Sequence, residues 1–188
     1  TMLMGMALIY SNTGTLSFRQ IGMAIVPMFQ NGMIMPILVV GTALMLFGIA
    51  FKLSAVPFHT WTSDVYQGAP APVATFLGSV SKVAMMALGL RFLLSTATLA
   101  LPAINTLIVV IASLSMIIGN ILALRQQNIK RLLAYSSIAH IGYVLAIVSA
   151  VKVESAGFVS MYMAVYAFTT IGAFGVVTMM SSPYKDQG

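Results

Sequence analysis

Two lysines and two histidines are the residues of this sequence whose chemistry suits the movement of protons through an apolar environment. Lys52 ends an uncharged apolar run over residues 33–51, and Lys82 lies inside a second apolar run over residues 73–101. A charged side chain in the hydrocarbon core costs about 2.5–3.5 kcal/mol on insertion scales, so it is rare there and marks paths for ions or protons. We therefore interpret both lysines as candidate proton carriers.

Each lysine also has a structural explanation, which the sequence leaves open. Lys52 could snorkel to the headgroups, because a long aliphatic stem lets the ammonium reach the interface. Lys82 lies too deep for that and could instead pair with a carboxylate, which no predicted span of this sequence supplies. Ser79 and Ser81 beside Lys82 are expected to hydrate it. We favour the transport role for both lysines.

The two histidines are candidates for the same path. His140 lies midway along a predicted span, with Ser136 and Tyr143 on its helix face. An imidazole titrates near pH 6.5 in water and suits a relay, although His140 could also be a neutral donor to a neighbouring helix. His59 is either a relay or gate residue or a plain interfacial one. Two histidines and three dispersed carboxylates predict no metal site.

Pro57 predicts a break in the helix that carries Lys52. Proline removes a backbone hydrogen bond and clashes with the preceding turn. Irregular backbone at membrane depth is tolerated where it lines a protein interior or a water-filled cavity. The free carbonyl groups at such a break would favour a cation, and Lys52 lies one turn away.

The elements that position these residues are predicted to be membrane helices. The chain is 60% hydrophobic and 6% charged, whereas soluble domains carry roughly 25% charged residues. Open sheet edges do not survive in lipid, so the fold class is an all-α polytopic membrane bundle. The net charge of +6 is scattered and predicts no nucleic-acid partner, and the absence of cysteine excludes disulfides and thiolate metal sites.

We predict a single transmembrane domain, residues 1–188, that is a fragment of a longer protein. A spanning helix needs about 20 apolar residues. The predicted elements are a half helix at 1–11, an interfacial connector at 15–32 and spans at about 33–58, 72–99, 104–124, 130–151 and 155–180. Two pairs of small residues, Gly41 with Gly48 and Gly172 with Gly175, predict close helix packing.

The distribution of basic residues predicts the orientation of the bundle. Positive charge concentrates in cytoplasmic loops. One side carries Arg125, Lys130, Arg131 and Lys185, and the other carries Arg19 and Lys152, with Arg91 nearer to it. The first side is therefore predicted to be cytoplasmic, together with the loop that contains Trp61–Asp64.

Several motifs resemble one family. FKLSAVPFH over residues 51–59 and DVYQGAPAPV over 64–73 are similar to the antiporter-like membrane subunits of NADH:quinone oxidoreductase, respiratory complex I. NIKRLLAYSSI over 128–138, with His140, and GAFG over 172–175 extend the resemblance over essentially the whole chain.

The resemblance implies a fold and roles for named residues. The family builds a fourteen-helix subunit from two inverted five-helix repeats, each with one broken helix. Lys52 would be the channel lysine on the first broken helix and Lys82 the connecting lysine on the next helix. His59 and His140 would belong to the central hydrophilic axis. The glutamate that pairs with the channel lysine in this family would lie outside this chain.

The resemblance also implies a function. The chain would be part of a proton-translocating subunit in the bacterial inner membrane, coupled to quinone reduction elsewhere in the complex. Its partners would be other membrane subunits and the lipid bilayer. NADH, FMN, iron–sulfur clusters and quinone would be bound by partner subunits, with no cofactor and no redox chemistry in this chain. A cation/proton antiporter subunit, or the membrane arm of a related hydrogenase complex, is the alternative.

Overall fold

The computed structural model describes residues 1–30, 36–96, 102–151 and 155–180, and no described residue forms a strand. This confirms the predicted all-α fold class. The described residues form nine helices: α1 Met2–Thr13, α2 Phe18–Gln30, α3 Pro36–Leu53, α4 Thr60–Gly68, α5 Ala71–Gly78, α6 Val80–Ser95, α7 Pro102–Leu124, α8 Ile129–Val151 and α9 Ser155–Met180. Lys152, Glu154 and Lys185 lie outside the described residues.

Five segments of the described chain are long and apolar enough to cross a membrane. They are Pro36–Leu53, Ala71–Ser95, Ile104–Leu124, Ile129–Val151 and Ala156–Met180. Two differ in detail from the predicted spans. The first helix ends at Leu53, before the predicted end at residue 58, and the second is divided into α5 and α6 at Ser79.

Glycines let two pairs of antiparallel helices approach closely. A Cβ atom on Gly5 of α1 would lie 2.7 Å from the carbonyl oxygen of Gly41 on α3. A Cβ atom on Gly119 of α7 would lie 2.8 Å from the backbone nitrogen of Ala139 on α8. Any side chain at these positions would separate the backbones. The close packing predicted for Gly41 is therefore present.

The prediction was wrong for the second glycine pair, as far as the described residues are concerned. A Cβ atom on Gly172 or Gly175 would meet no described atom within 4 Å. Both glycines lie on exposed parts of α9. Apolar side chains on α9 are also exposed, including Phe168 at 77% and Met179 at 89%. This part of α9 therefore presents an apolar surface, as a membrane helix does.

The helix break predicted from Pro57 lies between α3 and α4. Ser54 follows the last residue of α3 with φ of 65°, in the left-handed region that non-glycine residues rarely adopt. The Val56 amide donates a hydrogen bond of 3.0 Å to the Ser115 hydroxyl of α7. The Trp61 indole donates one of 3.3 Å to the Phe51 carbonyl. The break is thus held by side chains that are distant in sequence.

Trp61–Asp64 does not form the loop that the sequence predicted. These residues belong to α4, a helix that continues the chain beyond the break. Thr62 and Ser63 are buried on the inner face of α4, whereas Asp64 is exposed. The low hydropathy of the segment reflects a short helix that is polar on both its buried and its exposed faces.

Replacing Ser115 with alanine is expected to destabilise the break. Ser115 is fully buried, so the variant leaves the Val56 amide buried without a hydrogen bond, at a cost of about 1–3 kcal/mol. Thermal unfolding of the purified full-length protein in detergent would detect this as a lower Tm. Ser113→Ala is the matched control, because that hydroxyl donates only to Val109 of its own helix. Equal Tm values for the two variants would contradict the prediction.

Candidate functional site

Lys82 lies in the first turn of α6, enclosed by the bundle. Its side chain is 2% exposed. Its Nζ atom donates a hydrogen bond of 2.7 Å to the Ser137 hydroxyl of α8, and Ser137 donates one of 2.6 Å to the Ala134 carbonyl. The Ser79 hydroxyl donates a hydrogen bond to the Thr75 carbonyl of α5, and hydration of Lys82 by Ser79 and Ser81 stays a prediction. A serine on another helix solvates the ammonium.

No carboxylate of the described chain compensates the charge of Lys82. Asp64 is the one carboxylate among the described residues, and it pairs with Arg131 over 3.2 Å. The ring of Tyr66 lies 5.9 Å from Lys82 Nζ, within the range of a cation–π interaction. The described residues therefore offer Lys82 a hydroxyl and a π face rather than the structural ion pair that the sequence left open.

A second interruption of the backbone lies just before Lys82. Helix α5 ends at Gly78, and Ser79 has φ of −107° and ψ of −83° before α6 begins. The Tyr166 hydroxyl of α9 donates a hydrogen bond of 3.0 Å to the Gly78 carbonyl. This bond satisfies a carbonyl group at the end of α5. Tyr166 thereby supports the backbone that presents Lys82.

His140 occupies the centre of a group of tyrosines. Its Nδ1 atom shares a hydrogen bond of 2.6 Å with the Tyr162 hydroxyl of α9. The ring centroids of Tyr143, Tyr162 and Tyr166 lie 5.8, 6.0 and 5.3 Å from that of His140. The imidazole is half-buried, with a hydroxyl partner in direct contact. It is therefore placed to accept or donate a proton.

A polar cavity is lined both by Ser137, the hydrogen-bond partner of Lys82, and by His140. Its volume is about 160 Å³, and it is lined by Leu133, Ser136, Ser137, His140, Tyr166, Thr169, Thr170 and Ala173. Water occupies about 30 Å³ per molecule, so the cavity has room for several water molecules beside five hydroxyl groups. Ser137 contacts Lys82 and lines this cavity together with His140.

His140 also lines a second cavity of about 460 Å³ on the apolar side of α9. Tyr162 and Tyr166 line it as well, among apolar side chains such as Phe158 and Val165. The imidazole thus lies between a polar cavity towards Lys82 and a wider apolar one.

The structure does not bring Lys52 or His59 into this group. Lys52 lies in the last turn of α3 with an exposed side chain, and it makes no hydrogen bond or ion pair within the described chain. Its neighbour Leu53 is buried. The expected burial of Lys52 is therefore not provided by the described residues, because α3 turns its other face towards α1 and α6.

The break that follows Lys52 is nevertheless polar inside. Ser54 Oγ, His59 Nδ1 and Thr62 Oγ1 are buried and have no hydrogen-bond partner among the described residues. Buried polar groups of this kind are usually satisfied by ordered water or by a further protein group. His59 immediately precedes α4 and contributes its imidazole to this cluster.

Lys130 and Arg131 connect α8 to α4 as well as marking the predicted cytoplasmic side. Arg131 pairs with Asp64 and donates a hydrogen bond of 3.0 Å to the Gln67 side chain. Lys130 Nζ donates one of 3.3 Å to the Ala69 carbonyl. From the sequence, these two residues predicted only which side of the membrane is cytoplasmic, and their contacts with α4 were not predicted.

Sequence reasoning also missed four residues of the site, Tyr66, Ser137, Tyr162 and Tyr166. A signal was present for two of them. Tyr162 and Tyr166 are one helical turn apart in an otherwise apolar segment, so they share a face that must meet polar groups. Tyr66 and Ser137 carry no comparable local signal, because their partner is Lys82 on another helix.

Comparisons with known proteins give a consistent picture. The family model described as NADH:quinone oxidoreductase/Mrp antiporter, TM, matches residues 1–187 of the chain. The chain is 58% identical over 188 residues to NADH-quinone oxidoreductase subunit N of Psychrobacter arcticus, which is 100% of this chain and 37% of that protein. It is 48% identical over 185 residues to the subunit N of Acinetobacter baumannii, which is 98% of this chain and 36% of that protein.

A solved structure agrees in fold. In respiratory complex I from Thermus thermophilus with bound aureothin, one chain aligns with a TM-score of 0.73 and 35% identity, covering 94% of this chain and 36% of that chain. The chain therefore spans a little over a third of the length of the curated relatives it matches.

Proposed function

This chain belongs to the NADH:quinone oxidoreductase/Mrp antiporter transmembrane family, and we propose that it forms part of a proton-translocating subunit N of a bacterial NADH:quinone oxidoreductase. In this proposal, Lys82, Ser137, the polar cavity, His140 and Tyr162 form one proton path within the membrane. Lys52 and His59 form a separate polar region at the helix break, which joins the path through parts of the longer subunit.

The observation that carries the proposal is the environment of Lys82. An ammonium that is 2% exposed, with one hydroxyl as its hydrogen-bond partner, has little compensation within the described chain, so its protonation depends on charges that other parts of the protein bring near it. A serine hydroxyl can accept one hydrogen bond while donating another. For transfer, the Ser137 hydroxyl must turn from the Ala134 carbonyl to water in the cavity. Lys82 then gives its proton to Ser137 as Ser137 gives its own to that water, which leaves a neutral amine, and the water protonates the His140 imidazole.

The energy needed to move a proton across the membrane and the energy of a shift in pKa are of similar size. Moving one proton across 100 mV requires about 2.3 kcal/mol. A change of one pKa unit corresponds to about 1.4 kcal/mol, and burial can shift the pKa of an ionisable group by several units. Switching one neighbouring charge near a buried amine is thus sufficient to load or unload it. We propose that quinone reduction in distant subunits supplies that switch.

Lys52 enters the proposal through the remainder of the subunit. Its relatives are nearly three times as long as this chain, so other segments can cover the exposed face of α3. The family resemblance implies that a glutamate on an earlier helix pairs with this lysine. When that pair forms, the charged lysine is favoured, and when it opens, the proton moves on towards Lys82.

The proposal assigns redox chemistry to other subunits. NADH, FMN, the iron–sulfur clusters and quinone would be held there, and this chain would contact other membrane subunits and lipid. The chain would cross the bacterial inner membrane several times, with Trp61–Asp64 on the cytoplasmic side. The cluster of Arg125, Lys130 and Arg131 at that end supports this orientation.

The alternative is exchange of a metal cation for protons. The matched family model includes Mrp antiporters, which is the observation in its favour. Sealed vesicles that contain the full-length subunit without electron-transfer partners would discriminate. Proton movement driven by a Na⁺ or K⁺ gradient in these vesicles would support the antiporter. Movement that appears only in vesicles with the whole complex, supplied with NADH and quinone, would support the proposed function.

Replacing His140 with leucine tests the proposed path in the intact complex. A positioned acid–base group contributes about a hundredfold or more to proton transfer, so proton flux through this subunit should fall by about a hundredfold or more. The measurement is the number of protons moved per NADH oxidised in sealed vesicles. Ser160→Ala is the control, since that exposed side chain bonds only its own helix. An unchanged ratio in His140→Leu would remove this histidine from the path.

A further inference from the structure

An open groove lies between α2 and the end of α6, at the opposite end of the bundle from Asp64. Its volume is about 370 Å³, and it is lined by Arg19, Gly22, Met23, Pro27 and Ser95. Helix α2 packs on α6 through Phe18 and Phe92, whose ring centroids are 5.4 Å apart. Since a Cβ atom on Gly22 would collide with the Ser95 carbonyl oxygen, glycine is needed for this approach.

Helix α2 has the pattern of a helix at a membrane interface. Ile21 and Ile25 are buried against the bundle, at 3% and 2% exposure, one turn apart. Arg19 and Met23 are exposed beside the groove. An amphipathic helix with a cation at its start places its apolar atoms at acyl-chain depth and its cation at headgroup depth.

The charge of this end is entirely positive within the described chain. Arg91 is exposed one helical turn before Ser95, whereas Arg19 itself lines the groove. Neither Arg19 nor Arg91 makes an ion pair with a described residue, and Asp64, the described carboxylate, is engaged with Arg131 at the other end. One guanidinium group therefore lies in the groove, and a second lies within one turn of its Ser95 wall.

We propose that this groove binds the headgroup of an anionic phospholipid, with Arg19 and Arg91 on the phosphate and the wall of Met23 and Pro27 along the acyl chains. Guanidinium groups bind phosphate oxygens through two parallel hydrogen bonds. A lipid with net negative charge fits better than a zwitterionic one, because its headgroup brings no cation into a region that already holds two. The site is independent of the proton path.

The test uses the intact complex in lipid nanodiscs with a photoreactive phosphatidylglycerol, compared with a photoreactive phosphatidylcholine. Crosslinked peptides are located by mass spectrometry. We expect the α2 and α6 peptides to be labelled preferentially by phosphatidylglycerol. Each arginine near a membrane surface contributes about fivefold to binding of anionic lipid. Arg19→Gln and Arg91→Gln should therefore each reduce that labelling by about fivefold.

Arg125→Gln is the matched control, because Arg125 is exposed at the opposite end and should leave the labelling unchanged. Equal labelling by the two lipids would overturn the proposal, since it would indicate an ordinary lipid contact. Loss of labelling on addition of millimolar inorganic phosphate would indicate a site for the free ion instead.

Discussion

Replacing Lys82 with methionine is expected to abolish proton transfer through this subunit while leaving the complex assembled. Methionine nearly fills the same space, and the Ser137 hydroxyl keeps the hydrogen bond that it donates to the Ala134 carbonyl, so no buried donor is left without a partner. Loss of a positioned acid–base group lowers the rate by about a hundredfold or more. The expected result is a lower ratio of protons moved to NADH oxidised in sealed vesicles.

The Lys82→Arg variant tests whether the path needs a proton that can be released at this position or only a positive charge. A guanidinium stays protonated in proteins, so arginine preserves the charge beside Ser137 but cannot pass its proton on. We expect the number of protons moved per NADH oxidised to fall as far in this variant as in Lys82→Met. Arg125→Met is the control for removal of a cation, and it should behave as the native complex does. Native ratios in both Lys82 variants would exclude Lys82 from the path.

Replacing Gly119 with leucine should produce the largest structural effect. A Cβ atom there would lie 2.8 Å from the Ala139 backbone nitrogen and 3.1 Å from the Tyr135 carbonyl oxygen. Backbone cannot move aside as a side chain can, so α7 and α8 must separate. Overpacking of this kind costs about 1–3 kcal/mol or more. The expected result is a lower Tm and a smaller amount of subunit in the membrane.

Gly157→Leu is the matched control for this substitution. Gly157 also lies in a membrane helix, but a Cβ atom there meets nothing within 4 Å in the described chain. Both variants add the same apolar side chain, and both remove one helical glycine. A Tm equally lowered in the two would mean that loss of glycine, rather than the α7–α8 contact, determines stability.

The helices and the break near Pro57 could be predicted because they depend on local rules. A charge-poor apolar run must span the membrane, and proline cannot continue a helix. The second break, at Ser79, has a weaker local signal, the pair Gly78 and Ser79. The Tyr166 hydroxyl of α9, far away in sequence, bonds the Gly78 carbonyl there. Contacts of that kind are formed only when the bundle is assembled.

The two lysines show how far depth can be predicted. A position within an apolar run indicates how deep a residue lies along the membrane normal. For Lys82, this was sufficient to predict that the side chain is buried. It does not indicate which helix face the residue occupies. Lys52 and Leu53 have nearly the same depth, yet Leu53 is 2% exposed and Lys52 is exposed. Successive residues differ by about 100° around a helix, so one faces the bundle and the other faces away.

The contacts of Lys130 and Arg131 with α4 have a mechanical consequence. They fasten the segment beyond the first break to the beginning of α8. Ser137 and His140 lie farther along the same helix, α8. The short helix α4 is therefore connected, through one continuous helix, to two residues that line the polar cavity.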